Sequence, residues 1–248
     1  MKNRIKILFV FFVISFGVYA EQRIPIPKMS FGIGTSNSPG DLVNSLQILI
    51  GLTILTIAPS IIIMTTSFVR IIIVLHFIRQ ALGVQQMPPN QVLVGLALFL
   101  TFFIMKPTAE DIMQNGVNPY LNKKINQKVL FKRTETSLKA FMLKQTRVKD
   151  LNLFIKLSKT KPVKSRKNLS VWVVIPAYMI SELTRGFEIG ILIFIPFIII
   201  DMIVATVLMS LGMMMLPPVM ISIPFKLLLF VMVDGWNLII SSLVKSFN

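Results

Sequence analysis

Long, nearly uncharged apolar stretches limit the structures open to this chain more than any other feature. They occupy residues 42–69, 92–105, 189–211 and 219–244, with polar or charged segments between them. A helix crosses a bilayer with roughly twenty apolar residues, whereas a half-buried strand shows alternating apolar and polar positions. Because the stretches lack that alternation, the sequence predicts an all-α membrane protein whose four hydrophobic helical segments pair as helical hairpins.

The composition agrees with a membrane protein and leaves few side chains for catalysis. Hydrophobic residues make up 54% of the 248 positions, charged residues 15%, and the mean hydropathy is +0.75. The absence of cysteine excludes disulfides, zinc–cysteine sites and cysteine nucleophiles, and the single His76 excludes a histidine cluster. Ten acidic residues, mostly scattered, offer little for hydrolytic chemistry. We therefore expect no enzyme activity, no metal site and no cofactor.

The amino-terminal segment has the pattern of a secretory signal peptide. Lys2, Arg4 and Lys6 precede the apolar run ILFVFFVISFGV, and a small residue ends the stretch VYA. We predict a cleaved signal peptide over residues 1–20, with an uncleaved first membrane helix as the alternative. The arm that follows, residues 21–41, is rich in proline, glycine and serine and is expected to be extended.

The first hydrophobic helical pair is predicted over residues 42–107. Asp41 is positioned to cap its first helix, which Pro59 interrupts and which then runs on as RIIIVLHFIRQALG. The second helix, around residues 92–105, is shorter than the roughly twenty residues of a full span. It is either extended by its polar flanks or does not cross the membrane completely.

Most of the positive charge lies in one predicted helical loop, residues 108–170. Residues 107–170 contain fifteen lysines and arginines against four acidic residues, an excess of eleven (15 − 4). Such a patch fits nucleic acid or anionic lipid, but no nucleic-acid motif accompanies it, so we expect a solvated helical face and no nucleic acid. Apolar residues recur at helical spacing and predict an amphipathic helix that packs on the rest of the protein or on a neighbour: Leu138, Phe141, Met142, Val148, Leu151 and Ile155.

Two signals disagree about the orientation of this loop. A cleaved signal peptide leaves the new amino terminus outside the cytoplasm, and four crossings then place the basic loop and the carboxyl end outside. The positive-inside rule would keep the basic residues in the cytoplasm, but it holds for loops shorter than about 60 residues, and this loop is at that limit. We therefore expect the basic loop to be extracytoplasmic.

Three charged residues interrupt the last two apolar stretches. An ionised side chain that faces lipid costs several kcal/mol, so Asp201, Lys226 and Asp234 are expected to face protein, water or one another. Lys226 is placed to pair with either aspartate across a hairpin. Such a pair would fix helix register and subunit contacts, and the alternative is that Asp201 and Asp234 transport protons or cations.

The stretch PAYMISELTRGFEIG contains a further pair of opposite charges. Glu182 and Arg185 are three residues apart and are therefore able to pair on one helix face. No nucleophile, metal ligand or phosphate-binding loop accompanies them. The pattern thus favours a polar contact between helices over acid catalysis.

A methionine triplet is bracketed by residues that end helices, in the order Gly212, Met213, Met214, Met215, Pro217 and Pro218. Consecutive helical residues point about 100° apart, and two prolines cannot continue a helix. We therefore predict a loop within the second hydrophobic helical pair, residues 171–248. Spacing alone favours methionine as a filler in a membrane hairpin over a specific function.

Four long stretches together carry a family signal. They read RIIIVLHFIRQALGVQQMPPNQVLVGLALFLTFFIMKP at 70–107, FMLKQTRVKDLNLFIKLS at 141–158, PAYMISELTRGFEIG at 176–190 and FIPFIIIDMIVATVLMSLGMMMLPPVMISIPFKLLLFVMVDGWNLI at 194–239. In residues, order and spacing they resemble the FliP family of flagellar export-gate proteins, whose counterpart in virulence type III secretion is the SctR family.

This resemblance implies a ring-shaped assembly, a homopentamer joined by FliQ-like and FliR-like subunits. Such an assembly is the channel for unfolded export substrates across the bacterial inner membrane, at the flagellar basal body and in contact with its ring and with lipid. The methionine triplet would be a gasket that closes the pore, within a loop shaped by Gly212, Pro217 and Pro218. The stretch around Glu182 and Arg185 would lie at contacts between subunits.

Two other classes of function remain alternatives. A secondary transporter would use Asp201 and Asp234 and would lose ion-coupled uptake when either is neutralised. A membrane-anchored receptor would use the basic loop, so that deletion of residues 120–168 removes binding and leaves the hydrophobic core folded. The basic run KTKPVKSRKN at 159–168 departs from the family pattern and leaves the partners of this loop open.

Overall fold

The computed structural model describes residues 39–84, 87–158, 166–213 and 215–247. The predicted signal peptide and residues 21–38 of the predicted arm lie outside these ranges. A division at Gly51 separates the residues before it from the unit of residues 51–248, whose fold is as follows.

The described ranges are built from α-helices. Their bounds are α1 Pro39–Thr65, α2 Phe68–Ala81, α3 Asn90–Ile112, α4 Asn118–Leu121, α5 Gln127–Gln145, α6 Val148–Leu157, α7 Val171–Ser210, α8 Pro218–Met232 and α9 Gly235–Lys245. A π-helical turn, Met113–Val117, joins α3 to α4. These ranges contain no strand, and the prediction of an all-α membrane protein is confirmed.

Three helical segments are long and apolar enough to cross a membrane: Ser45–Thr65, Asn90–Leu121 and Val171–Ser210. The bent pair of α8 and α9, with 64° between its parts, is a fourth if it counts as one span. For the short second stretch, residues 92–105, the first of the two predicted alternatives is correct. Its polar flanks extend the helix, which continues through Pro107. The last stretch is broken at residues 233–234, which the sequence analysis did not anticipate.

The boundary between α1 and α2 differs from the prediction. α1 continues through Pro59, and the helix breaks at Thr66 and Ser67 instead. The hydroxyl of Tyr178 donates a hydrogen bond of 2.8 Å to the Thr66 carbonyl, which satisfies an acceptor that the break has freed. α1 begins at Pro39, two residues before the predicted cap position at Asp41.

Close packing of α2 against α7 forms the centre of the fold. An ideal Cβ built on Gly186 would lie 3.0 Å from Ile73, and one built on Gly190 would lie 2.5 Å from Phe77. These glycines therefore give the space in which α2 approaches α7, as small residues do at helix contacts in membranes. Contact positions rise together along both helices, so α2 and α7 run in the same direction.

α2 is short but is the most buried helix of the core. Ile71, Val74, Leu75 and Ile78 are fully buried between α7 on one side and α3 on the other. Periodic apolar positions on more than one face explain why this helix lies inside the protein.

The predicted amphipathic stripe of the basic loop falls on two helices where one was expected. α5 ends at Gln145, α6 begins at Val148, and both pack on α7. Buried residues of these three helices, with Leu169 from the segment before α7, form a second small core: Met142, Leu151, Leu169, Val174, Ala177 and Tyr178. Of the predicted apolar stripe, Val148 stays exposed. The stripe therefore packs on its own chain, which was one of the two predicted alternatives.

Contacts near the two ends of α2 define two ends of the described helical unit. At the basic end, Arg70 near the start of α2 meets Gln145 and Ser246. At the methionine end, an ideal Cβ on Gly83 after α2 would lie 3.2 Å from Ile223 near the start of α8. The turn after α2 and the methionine triplet therefore share one end, and the basic helices share the other with the last described residues.

Replacement of Gly190 by alanine tests the α2–α7 contact. The added methyl group would overlap the Phe77 ring, so we expect the free energy of unfolding in detergent micelles to fall by about 1–3 kcal/mol. Gly95 has no atom within 4 Å of an added Cβ. Gly95→Ala is the matched control and is expected to be neutral or slightly stabilising. Equal effects of the two substitutions would contradict this packing.

Candidate functional site

A buried arginine lies at the junction of four segments. Arg70 is fully buried, and its Nε donates to Glu182 Oε2 at 2.9 Å while Nη2 donates to Glu182 Oε1. Nη1 donates to the carbonyl and the hydroxyl of Ser246 at 3.0 and 2.9 Å, and Nη2 also reaches Gln145 Oε1 at 3.2 Å. These bonds occupy all five donors of the guanidinium group.

The same arginine is covered by an aromatic ring. Its Cζ lies 3.7 Å from the centroid of the Phe247 ring, in the geometry of a cation–π contact. Gln145 Nε2 donates to the Phe247 carbonyl at 2.7 Å, which ties the end of α5 to the segment after α9. Glu182, also fully buried, is thereby compensated by an arginine from α2. We call this set, Arg70, Gln145, Glu182, Ser246 and Phe247, the arginine cluster.

Glu182 and Arg185 do not pair with each other as their spacing allowed. Arg185 Nη1 instead donates to Gln145 Oε1 at 3.0 Å, so the amide oxygen accepts from two arginines. Glu182 takes the partner from another helix because Arg70 presents two donors in the plane of the carboxylate. The contact of Glu182 is thus made between helices of one chain.

A second buried polar contact joins α7 to α8. Lys226 Nζ donates to Asp201 Oδ2 at 2.6 Å, and the Ser222 hydroxyl donates to Asp201 Oδ1 at 2.5 Å. The side chain of Lys226 is buried, and that of Asp201 is partly exposed. Of the two pairings that the sequence allowed, the structure has the one with Asp201. This contact fixes the register of the hairpin that ends in the methionine loop.

Asp234 has a different role from Asp201. It lies at the bend between α8 and α9 with a left-handed φ of +49°, a region that non-glycine residues rarely occupy. Its Oδ2 accepts a hydrogen bond of 3.1 Å from Asn237 Nδ2. Among the residues that the structure describes, no hydrogen bond or ion pair joins Asp234 to Asp201 or to Lys226.

The loop between α7 and α8 forms where the sequence predicted it. Gly212 has a φ of +72°, the Met213 amide donates to Leu208 O at 3.0 Å, and the Gly212 amide donates to Met209 O at 3.1 Å. This pair of bonds is a Schellman motif, which ends α7 at a residue that tolerates positive φ. Pro217 precedes the first turn of α8, and Pro218 begins it.

Methionine side chains project from this loop. Met213 is 48% exposed, and Met215, at 97%, is the most exposed large apolar side chain of the described residues. Met214 lies outside the described residues. Local rules for helix termini therefore place a flexible apolar group at the tip of a hairpin whose register is fixed by Asp201 and Lys226.

A third polar contact holds α6 to α7, and the sequence analysis missed it. Asp150 is buried and accepts bonds from Arg147 Nε at 2.8 Å and from the Ser181 hydroxyl at 2.7 Å. The bonds from Arg147, then that from Ser181, hold the pKa of the Asp150 carboxyl below its ordinary value against the opposing effect of burial. The three-residue spacing of Arg147 and Asp150 was a usable signal for this contact.

The chemistry available here is structural. Within the described ranges, no group of three or more histidine, cysteine, aspartate or glutamate residues is arranged to hold a metal ion. The arginine cluster, the Asp201–Lys226 contact and the Asp150 contact each join helices, and each carboxylate is compensated by a cation. Such an arrangement can position helices and a loop.

Comparison with known proteins gives one consistent family. The model of the FliP family matches residues 51–243. The flagellar biosynthetic protein FliP of Bacillus subtilis (strain 168) is 52% identical over 215 residues, which are 87% of this chain and 97% of that protein. The protein of the same name from Aquifex aeolicus (strain VF5) is 48% identical across 90% of this chain, and that from Caulobacter vibrioides is 47% identical across 99% of this chain. Each match covers 92% of the relative.

Glu182→Gln tests the arginine cluster. The substitution leaves Arg70 buried without its counter-charge, and we expect a loss of about 3–5 kcal/mol in the free energy of unfolding. The double variant Arg70→Met, Glu182→Met removes both charges and should lose less than the single variant. Glu188→Gln is the control, because Glu188 lies on the same helix with its side chain 60% exposed, and the loss of its solvent-exposed ion pair with Arg147 should cost little. A double variant worse than Glu182→Gln would contradict this assignment.

The Asp150 contact predicts a dependence on pH. Because the pKa of Asp150 is lowered in the folded protein, its contribution is fully present above the unfolded value of about 3.9 and is lost as the pH falls through the folded value. We expect the protection factors of α6 amides, which compare the observed exchange with the intrinsic rate at the same pH, to fall on acidification below about pH 4. Asp150→Asn should show the lowered protection already at neutral pH. Identical pH profiles in the two proteins would exclude the contact as the cause.

Proposed function

The chain belongs to the FliP family, and on this premise we propose that it forms, with copies of itself and partner subunits, the pore of the flagellar type III export gate. Family membership makes it a flagellar biosynthetic membrane protein and a component of the export apparatus rather than an enzyme. The finer proposal concerns the methionine loop as the closure of the channel. One observation carries it, the exposure of Met213 and Met215 at the tip of a register-fixed hairpin.

The geometry of the loop suits a gasket. A thioether side chain is unbranched and apolar, with three rotatable bonds, so a ring of such side chains would close against itself and repack around varied cargo. Branched residues would seal but deform poorly, and polar residues would pass water and ions. Gly212 and the two prolines end the helices on either side of the triplet, so the loop has a defined length between rigid supports.

A pore requires several copies of the hairpin, and its surface supports an assembly. Large apolar side chains on α7 and α8 remain exposed in the single chain, including Ile203, Val207, Leu228 and Met232. We propose that these faces contact neighbouring copies in a homopentameric ring and contact FliQ-like and FliR-like subunits. Glu182 and Arg185 would act indirectly, since their described partners lie within one chain, by fixing the helices that carry the subunit contacts.

The proposed setting is the bacterial inner membrane at the flagellar basal body. The channel would conduct unfolded export substrates through the ring, with the surrounding basal-body ring and membrane lipid as neighbours. The methionine end, which also contains the turn after α2, would face the cytoplasm. The basic helices α5 and α6 would then lie on the extracytoplasmic side.

The alternative of a secondary transporter gains no support from the geometry. It needs Asp201 and Asp234 to act in one pathway, but Asp201 is bound to Lys226 and Ser222, while Asp234 lies at the bend before α9 and accepts a hydrogen bond from Asn237. An aspartate bound to a lysine and a serine is suited to fix a hairpin. We therefore retain the export-gate proposal alone.

Replacement of Met213, Met214 and Met215 by alanine tests the gasket. Alanine removes the thioether groups that would fill the closed pore, so we expect membranes that contain the assembled complex to leak ions. The measurement is the loss of a pre-formed proton gradient in vesicles. Met64, Met87 and Met113, which lie outside the loop and outside α7 and α8, are exposed methionines for a matched triple alanine control that should stay tight.

Cross-linking on the same preparation separates failure of assembly from failure of the gasket. The chain contains no cysteine, so Met215→Cys introduces a single thiol at the loop tip. Oxidation should give covalent dimers when loops surround a common axis, and Met220→Cys should give fewer. An assembled complex that neither leaks in the triple variant nor cross-links at Met215→Cys would overturn the proposal.

A further inference from the structure

The helices of both hairpins are joined by the same eight-residue pattern. The stretch between α2 and α3 reads LGVQQMPP, residues 82–89, and the stretch between α7 and α8 reads LGMMMLPP, residues 211–218. Each has a leucine and a glycine, three variable residues, a methionine or leucine, and two prolines. The chain therefore contains one connecting pattern twice, and only the second copy carries the methionine triplet.

The glycines of the two stretches have the same backbone geometry. Gly83 has a φ of +75° and Gly212 has a φ of +72°. Each amide donates a hydrogen bond of 3.1 Å to the carbonyl three residues earlier, that of Gln80 or that of Met209. Both helices thus end at a glycine in the left-handed region. The match in sequence is also a match in the way α2 and α7 end, and the first hairpin needs a role that does not use a methionine triplet.

The end of α2 is tied to the start of α3. Arg79 Nη1 donates a hydrogen bond of 2.5 Å to Asn90 Oδ1, the first residue of α3. Leu82, which precedes the glycine, is buried in the main core. We call residues 79–83 together with Asn90 the α2 support. Its polar contact and its buried leucine fix the position of Gly83.

The α2 support contacts α8 close to the methionine loop. An ideal Cβ on Gly83 would lie 3.2 Å from Ile223 Cγ1 and 3.7 Å from Ile223 Cδ1, so the backbone of Gly83 lies against this side chain. Ile223 follows Pro218, the first residue of α8, by five residues, which is about 7 Å along the helix axis. The glycine therefore serves both the end of α2 and the contact with α8.

Two consecutive residues hold α8 on different sides. The Ser222 hydroxyl donates to Asp201 on α7, and Ile223 meets the α2 support. Consecutive helical side chains point about 100° apart, so the two contacts face different directions. A helix held on one side remains free to tilt about that contact, and a second contact in another direction removes this freedom. The base of the methionine loop is therefore fixed from α7 and from α2 together.

We propose that the α2 support positions the methionine loop by holding Ile223, so that Met215 at the tip keeps one place relative to the rest of the chain. Gly83 and Ile223 are thus positioning residues, which act through α8 and do not themselves close the pore. The position of the loop does not depend on the export-gate proposal, whereas the consequence for the seal rests on it. The first hairpin provides the support, and the second provides the closing side chains.

Pulsed electron paramagnetic resonance on the assembled full chain measures the position of the loop. Spin labels are attached at Lys149→Cys on α6 and Met215→Cys at the loop tip, in a chain without other cysteines and diluted with unlabelled chain. Ile223→Ala removes both atoms that face Gly83, so we expect the distribution of distances between the labels to broaden about twofold. Ile223→Val retains Cγ1, the atom nearest Gly83, and should preserve the original width.

Ile104→Ala is the matched control for a general loss of packing. Ile104 is a half-buried isoleucine like Ile223, but it lies on α3 at the basic end. Its truncation should lower the midpoint of thermal unfolding in detergent about as much as Ile223→Ala does, and should leave the distance distribution unchanged. If Ile223 contributed to stability alone, both variants would give the same distribution.

The proton-gradient measurement connects the position of the loop to the seal. Vesicles with the Ile223→Ala complex should lose the gradient faster than those with Ile223→Val, and more slowly than those with the triple methionine variant. A broadened distribution without a leak would support the α2 support and contradict the gasket.

Two results would overturn the role of the α2 support. One is an unchanged distribution and a tight seal in Ile223→Ala while the triple methionine variant leaks. The other is an equal broadening in Ile223→Val or Ile104→Ala, because these variants retain the contact between Ile223 Cγ1 and Gly83 or do not touch it.

Discussion

The buried Arg70 is the interaction on which the rest of this structure depends. A short helix such as α2 has little length with which to fix its own position, yet it forms the centre of the core. Its arginine binds α7 through Glu182, α5 through Gln145 and the segment after α9 through Ser246. A buried ion pair is weak evidence for net stability, because desolvation opposes the attraction. Its contribution here is geometric, because all five donors of the guanidinium group find their acceptors in one arrangement of the four segments.

The other polar contacts repeat this principle at separate places. Lys226 and Asp201 fix α8 against α7, and Asp150 with Ser181 fixes α6 against α7. Apolar helices have few features that distinguish one register from another, since sliding by one turn exchanges similar side chains. A charged pair removes that freedom, because the displaced charge would be buried alone. The core of the fold is thus mostly apolar, and a few polar contacts fix how its helices are placed against one another.

The sequence predicted what local rules determine. Apolar runs gave the helices, and the methionine loop was placed because glycine and proline act on the residues next to them. The break at Thr66 was not predicted, because the hydroxyl that stabilises it belongs to Tyr178, 112 positions away. The predicted pairing of Glu182 with Arg185 has the same cause. Sequence spacing shows which residues are neighbours along one helix, but it does not show that Arg70 on another helix is the partner. The contact between Asp150 and Arg147 was predictable from the sequence, because the two residues are three positions apart.

The arginine cluster also sets an order on the biosynthesis of the chain. Arg70 is synthesised 75 positions before Gln145, 112 before Glu182 and 176 before Ser246. During elongation its guanidinium group has no buried partner, because Glu182, its counter-charge in the fold, has not yet emerged. The helices can enter the membrane one at a time, but the core of α2 closes only after the last of these segments has left the ribosome. Insertion and folding are consequently separate events for this protein, and the arginine marks the boundary between them.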